Sequence, residues 1–204
     1  VNKFVKHFIV TLLISATLTG CSLMPWSSDG DAEILTFLPA DQLSQWDLTA
    51  KFSVSTAEGT ESGSIRWILN PSEERLDVLS PTGSVVAQLT VTESEARLKT
   101  DDRETVAKDA DTLFREVMEI SLPVNALRYW VRGLKAPNMP LESVEKDGEG
   151  RITELTQDGW QLAYNGNISI ESGSHRFEVP RRLTATRGDV EIRWASTEWQ
   201  AITK

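Results

Sequence analysis

Leu48-Thr49-Ala50-Lys51-Phe52-Ser53-Val54-Ser55 alternates apolar and polar residues without a break. A period of two marks a strand with one face buried and the other wet. The pattern returns at Ile65, Trp67 and Leu69, ahead of Asn70-Pro71, and again at Leu76 and Val78. Ser80-Pro81-Thr82-Gly83 then places Pro at the second and Gly at the fourth position, as a type I turn prefers. Val85, Ala87, Leu89 and Val91 make the return strand, and Ala96 with Leu98 a fifth. Short strands joined by turns in chain order read as an antiparallel meander.

Residues 109–133 break the pattern. Asp109 or Asp111 can cap a helix running to about Ile120, with Leu113, Val117 and Ile120 on one face. Pro123 suits the first turn of a second helix and Gly133 its stop. Leu127, Trp130 and Val131, at i, i+3 and i+4, form its apolar stripe. Strands resume after Pro140. Asp147-Gly148-Glu149-Gly150 and Gln157-Asp158-Gly159 are turns, 160–164 is a strand, and 176–186 is another with an edge or bulge at Pro180. Segments 190–195 and 197–203 close the chain. The sum is a mainly β fold of about ten or eleven antiparallel strands, with a helical pair inserted after the fifth. One curved sheet or incomplete barrel with helices over an opening accounts for this; a two-sheet sandwich is the rival, and periodicity does not separate them.

The N-terminus reads differently. Lys3 and Lys6 precede an apolar run from Phe8 to Leu18, too short to span a bilayer, and Leu18-Thr19-Gly20 leads into Cys21, the only cysteine. This has the form of a lipobox, with cleavage before Cys21 and a diacylglyceryl group on its thiol. A lone cysteine in an exported chain has no disulfide partner and needs such a role. Residues 1–20 are then a lipoprotein signal peptide, 21–43 a lipidated N-terminus and flexible tether, and 44–204 one domain with a sizeable core. Ser22, not Asp, follows the cysteine, which permits sorting to the outer membrane.

Formal charge is −9, and loss of Lys3 and Lys6 with no acidic residue makes the mature chain two units more negative. Such acidity argues against nucleic acid and against polybasic attachment to lipid headgroups, so membrane attachment rests on Cys21. Reactive chemistry is sparse. His7 leaves with the signal and His175 stands alone; no thiolate remains once Cys21 is acylated, and the glycines are spaced as turn residues. No catalytic residue, metal site or cofactor is expected. Glu73-Glu74, adjacent within an expected turn, reads as solvated surface.

Tryptophan is the unusual feature: seven, at 26, 46, 67, 130, 160, 194 and 199. If the sheet curves, Phe52, Trp67, Leu69, Val78, Leu89, Leu127, Trp130, Val131 and Leu162 line a hollow between its concave face and the helical stripe, and such apolar hollows bind apolar ligands. At this point a family resemblance emerges. The lipobox, Ile65-Arg66-Trp67, Ser80-Pro81-Thr82-Gly83, the run Leu122-Pro123-Val124-Asn125-Ala126-Leu127-Arg128-Tyr129-Trp130-Val131-Arg132-Gly133, and Trp199 together resemble the LolB family. The resemblance covers about residues 44–204, and the run at 122–133 is its most specific part. It implies an incomplete antiparallel β-barrel with helices as a lid over an apolar cavity. It implies an outer-membrane protein, lipid-anchored on the periplasmic face, that accepts acylated lipoproteins from the periplasmic carrier LolA and inserts them into the inner leaflet of the outer membrane; a monomer is expected because the lid already covers the sheet's apolar face. The other reading is a scaffolding lipoprotein that docks a protein partner. The turn at Pro81, Thr82 and Gly83, with Val85, resembles the family's protruding membrane-insertion loop, but Thr82 stands where an exposed leucine is expected.

Overall fold

The computed structural model describes residues 35–118 and 123–202; the signal peptide, Cys21 and the expected helix end near Ile120 lie outside them. The first meander comprises β2 (Trp46–Thr56), β3 (Gly59–Leu69), β4 (Glu74–Leu79), β5 (Val85–Val91), β6 (Ala96–Thr100) and β7 (Glu104–Ala107). The second comprises β8 (Leu141–Lys146), β9 (Ile152–Gln157), β10 (Trp160–Ser172), β11 (His175–Arg187) and β12 (Val190–Ala201). Each pairs in chain order, and the antiparallel pairing of β2 with β12 fuses them into one sheet, β7-β6-β5-β4-β3-β2-β12-β11-β10-β9-β8. A single hydrogen-bonded path with free edges at β7 and β8 is an incomplete barrel rather than a sandwich. One apolar cluster confirms it, joining Leu89 and Ala96 of the first meander to Leu155 and Leu162 of the second.

Two helices, α1 (Ala110–Met118) and α2 (Val124–Trp130), follow β7, not the fifth strand. The chain thus passes through them from one free sheet edge to the other. Asp109 caps α1, accepting the Thr112 backbone N–H at 2.7 Å, and that bond holds its carboxyl below the usual range. Asp111 serves the next helix instead, accepting the Asn125 N–H at 3.0 Å. The turn after α2 ends at Gly133, whose φ of +73° is the left-handed stop that glycine allows.

Several local expectations are revised. The chain enters the fold before residue 44: β1 (Thr36–Phe37) pairs in parallel with β11, and Leu43 is buried with its carbonyl accepting Arg132 Nη1–H at 2.9 Å. β12 is one strand, not two, with a register shift between Ser196 and Glu198. Ile192, Trp194 and Ser196 are buried before the shift and Trp199 after it, so the extra residue changes which parity faces inward. Pro180 pairs with Asn167 without a bulge. It lies where β11 has a local free edge, between Arg176, which meets β1, and Arg182, which meets β12.

Candidate functional site: an apolar cavity beneath the helices

Inward alternation sets the walls. Trp46, Leu48 and Ala50 of β2 are fully buried, and further along the same face Phe52 and Val54 are only partly covered. There the side chains of four strands stand back from each other and leave a cavity of about 110 Å³. Phe52, Val54, Ile65 and Trp67 line it from β2 and β3, and Leu76, Val78, Ile192 and Trp194 from β4 and β12. Phe114 of α1 with Val124 and Leu127 of α2 close it from the other side. Every lining residue is apolar. A larger cleft of about 380 Å³ lies along α2 and the 136–139 loop, but its walls are mixed, and Asp111, Asn125 and Arg128 would lose water to any hydrocarbon placed there.

Of the residues picked from sequence, Phe52, Trp67, Val78 and Leu127 meet at this cavity. Leu69, Leu89, Trp130, Val131 and Leu162 lie elsewhere in the apolar core. Trp130 turns toward the second meander: its ring lies 6.0 Å from that of Trp160, and its Nε1–H donates to buried Gln157 at 3.1 Å. Gln157 also accepts the Ala136 N–H at 2.8 Å, so one amide ties the helix and the following loop to β9. Val54, Ile65 and Leu76 could have been found as same-face neighbours of the chosen strand residues; Phe114 and Val124 carried no comparable signal.

Glu74 departs most from expectation. It opens β4 on the concave face and is 5% exposed, not solvated. Trp67 Nε1–H donates to its Oε1 at 2.9 Å, and Arg128 Nη2 lies 2.8 Å from Oε2. Burial raises its pKa, opposed by Arg128, the Trp67 bond and Arg132. Three more tryptophans continue from Trp67: Trp46 lies 5.3 Å from it and Trp194 6.0 Å, while Trp46 and Trp199 are 5.2 Å apart. Such edge-to-face and tilted contacts make a rigid floor.

The β4–β5 turn projects from the end of the sheet. Gly83 N–H donates to Ser80 C=O at 2.9 Å, and Gly83 has a φ of +88°. Pro81, Thr82 and Gly83 are exposed, and Val85 and Val86 behind them are exposed at 48% and 41%. The tip is polar and its base apolar.

Residues 44–199 match the family model described as outer membrane lipoprotein LolB. The Outer-membrane lipoprotein LolB of Chromohalobacter salexigens is 31% identical over 196 residues, covering 94% of this chain and 89% of that one. Its counterpart in Alkalilimnicola ehrlichii is 30% identical, covering 95% and 96%. Among solved structures, a DUF1329 family protein from Desulfovibrio piger aligns with a TM-score of 0.50 at 10% identity, covering 79% of this chain and 88% of that one, a likeness of fold alone. The chain belongs to the LolB family of outer-membrane lipoproteins.

Proposed function

We propose that this protein is the outer-membrane receptor for acylated lipoproteins: it takes them from the periplasmic carrier LolA and places them in the inner leaflet of the outer membrane. The observation that carries this reading is a cavity walled wholly by aliphatic and aromatic side chains, roofed by a helix pair that spans the open seam of the sheet. Exposing acyl chains to water costs about 0.8 kcal/mol per CH₂. Three chains therefore cost on the order of tens of kcal/mol, and a lipoprotein crosses water only inside a partner. Neither step requires a covalent change, so the residues have only to bury, hold and release hydrocarbon.

Cys21, acylated after removal of residues 1–20, anchors the chain. The anchor supplies proximity to the bilayer rather than affinity for cargo. The β4–β5 turn, with Pro81, Thr82, Gly83 and Val85, is the part that engages lipid on delivery, and Val85 with Val86 supplies the apolar contact that Thr82 lacks. The receptor works as a monomer.

The test is transfer. LolA loaded with an acylated lipoprotein is mixed with the receptor, and pull-down shows where the lipoprotein resides. Movement to this protein without ATP supports the reading. Retention on a competent carrier from the same organism refutes it and favours a scaffolding lipoprotein.

A further inference from the structure

Two carboxylates are buried to the same degree, and they differ in what they hold. Asp77 lies on the convex face, where Gln88 and Arg75 satisfy it within the sheet. Glu74 lies on the concave face, and its two oxygens hold opposite walls of the cavity. Oε1 takes the N–H of Trp67, a lining residue of the sheet; Oε2 pairs with Arg128, which follows the lining residue Leu127 on α2.

The two ends of α2 are fastened differently. Its C-terminal end is pinned three times. Trp130 donates to Gln157, Arg132 donates to the Leu43 carbonyl, and a Cβ on Gly133 would stand 3.0 Å from Pro180 Cγ, so backbone and ring are in close contact. Its N-terminal half, which carries the lining residues Val124 and Leu127, is tied to α1 through Asp111, and Arg128, the next residue after Leu127, ties it to the sheet through Glu74. A cavity of about 110 Å³ is smaller than the ~150 Å³ that admits benzene, so a whole acyl chain needs more room than the seated helix leaves beneath it.

We propose that the Glu74–Arg128 pair is a clasp that seats the N-terminal half of α2 over the cavity and parts when an acyl chain enters, with the pinned end as pivot. The proposal rests on the reading of the cavity as an acyl site. Chemistry favours an ion pair over an apolar contact here. Desolvation offsets most of the attraction within a buried pair, so such a pair fixes geometry without adding much stability. It can open and reclose in the same register. Glu74 is thus a positioning residue that acts through α2, and Trp67 couples it to the floor on which the chain would lie.

Residues 34–204 form one compact unit that holds the whole described core, and the test uses this unit. Glu74→Gln keeps the acceptor for Trp67 and removes the charge; Arg128→Met removes the partner; Arg128→Lys keeps the charge. Amide hydrogen exchange reads the helix directly. The first two variants should each speed exchange of the α2 amides by about tenfold or more, because each leaves the other charge buried without its ion-pair partner. The double variant should do no more than either, Arg128→Lys should restore most of the protection, and β10–β11 amides should not change. Uptake of a fluorescent 16-carbon fatty acid should quicken in the same variants. Unchanged α2 exchange, or a rise spread evenly over the sheet, overturns the clasp. Faster α2 exchange with no fatty-acid uptake by any variant upholds the clasp and overturns the acyl reading.

Discussion

Filling the cavity should strengthen the fold and disable the receptor. Val78 and Val54 face it from β4 and β2. Replacing either with Phe adds hydrocarbon where the structure now has space. Unfilled volume costs about 24 cal/mol per Å³, so about 110 Å³ represents ~2.6 kcal/mol that the native sequence leaves uncollected. A ring will not fit without some strain, and overpacking costs about 1–3 kcal/mol where it forces side chains off their rotamers. The better placed of the two variants should therefore gain roughly 1 kcal/mol, a rise in Tm of about 2–4 °C for a domain of this size. Acyl binding should fall in both, because the ring occupies the space in which a chain would start. Calorimetry gives the first quantity, and fluorescence titration with a 16-carbon fatty acid gives the second. If both variants lose stability and still bind the fatty acid as the parent does, hydrocarbon enters elsewhere and the reasoning fails. A gain in stability with unaltered binding would place the ligand site outside this cavity while leaving the packing argument intact.

A negative charge at the turn, Thr82→Glu, should impair delivery into vesicles while leaving acquisition from the carrier unchanged; equal loss in paired binding and insertion assays would remove the distinction. Gly133→Ala should cost about 1–2 kcal/mol for its left-handed backbone, and more because the new methyl meets Pro180, as urea melts can show. Glu74 should contribute to pH dependence in the sense opposite to most acids. Its raised pKa means that, from its ordinary 4.5 up to the folded value, the native state holds a proton the unfolded chain has released. Stability from this group is full below pH 4.5 and lost as pH rises through the folded pKa. The stability difference between parent and Glu74→Gln should therefore shrink over that window, and a difference that is flat with pH would contradict it. The acidic chain should also associate with its carrier at a rate that falls steeply with added salt; stopped-flow rates indifferent to salt would exclude steering by charge.

The fold was legible wherever one strand kept one face. β2 alternates through its whole length, and the pattern of Leu48, Ala50, Phe52 and Val54 gives the correct inward set. Alternation fails at β12 because the shift near Thr197 exchanges inward and outward parity, so a continuous strand of twelve residues reads as two. β7 escapes notice because its four residues include an edge and just one large apolar side chain, Val106, which is exposed. The cavity was half legible for a geometric reason. Parity tells which face a residue takes but not how far along the sheet a gap opens, so Phe52 and Val78 lie at the gap while Leu69 and Leu89 fill the core beside it. On α2 the single stripe divides. Val124 and Leu127 face the cavity and Trp130 faces Gln157, because a helix set in the seam of a sheet has neighbours on both sides. Glu74 was illegible: nothing in a Glu-Glu pair beside a turn reports that the second residue begins a strand opposite two arginines.

The small size of the empty cavity bears on the direction of transfer. A buried 16-carbon chain recovers on the order of 12 kcal/mol from about fifteen methylenes. Part of that must be spent moving Phe114, Val124 and Leu127 off the sheet, each about 1.5–3 kcal/mol if left in water. The arriving chain covers much of what it displaces, so the net cost is smaller, but it is not zero. A bilayer has no roof to lift. If this cavity takes the chain, hydrocarbon gains more in the membrane than in the receptor by about the cost of opening it, and release runs downhill without any other energy source. The same cost bounds the design from the other side. A wider, permanently open cavity would bind chains more tightly and hold them back from the bilayer. A fully packed one would bind none. A cavity that exists only as a seed, under a helix pinned at one end and tied to the sheet over the cavity by one ion pair, satisfies both limits.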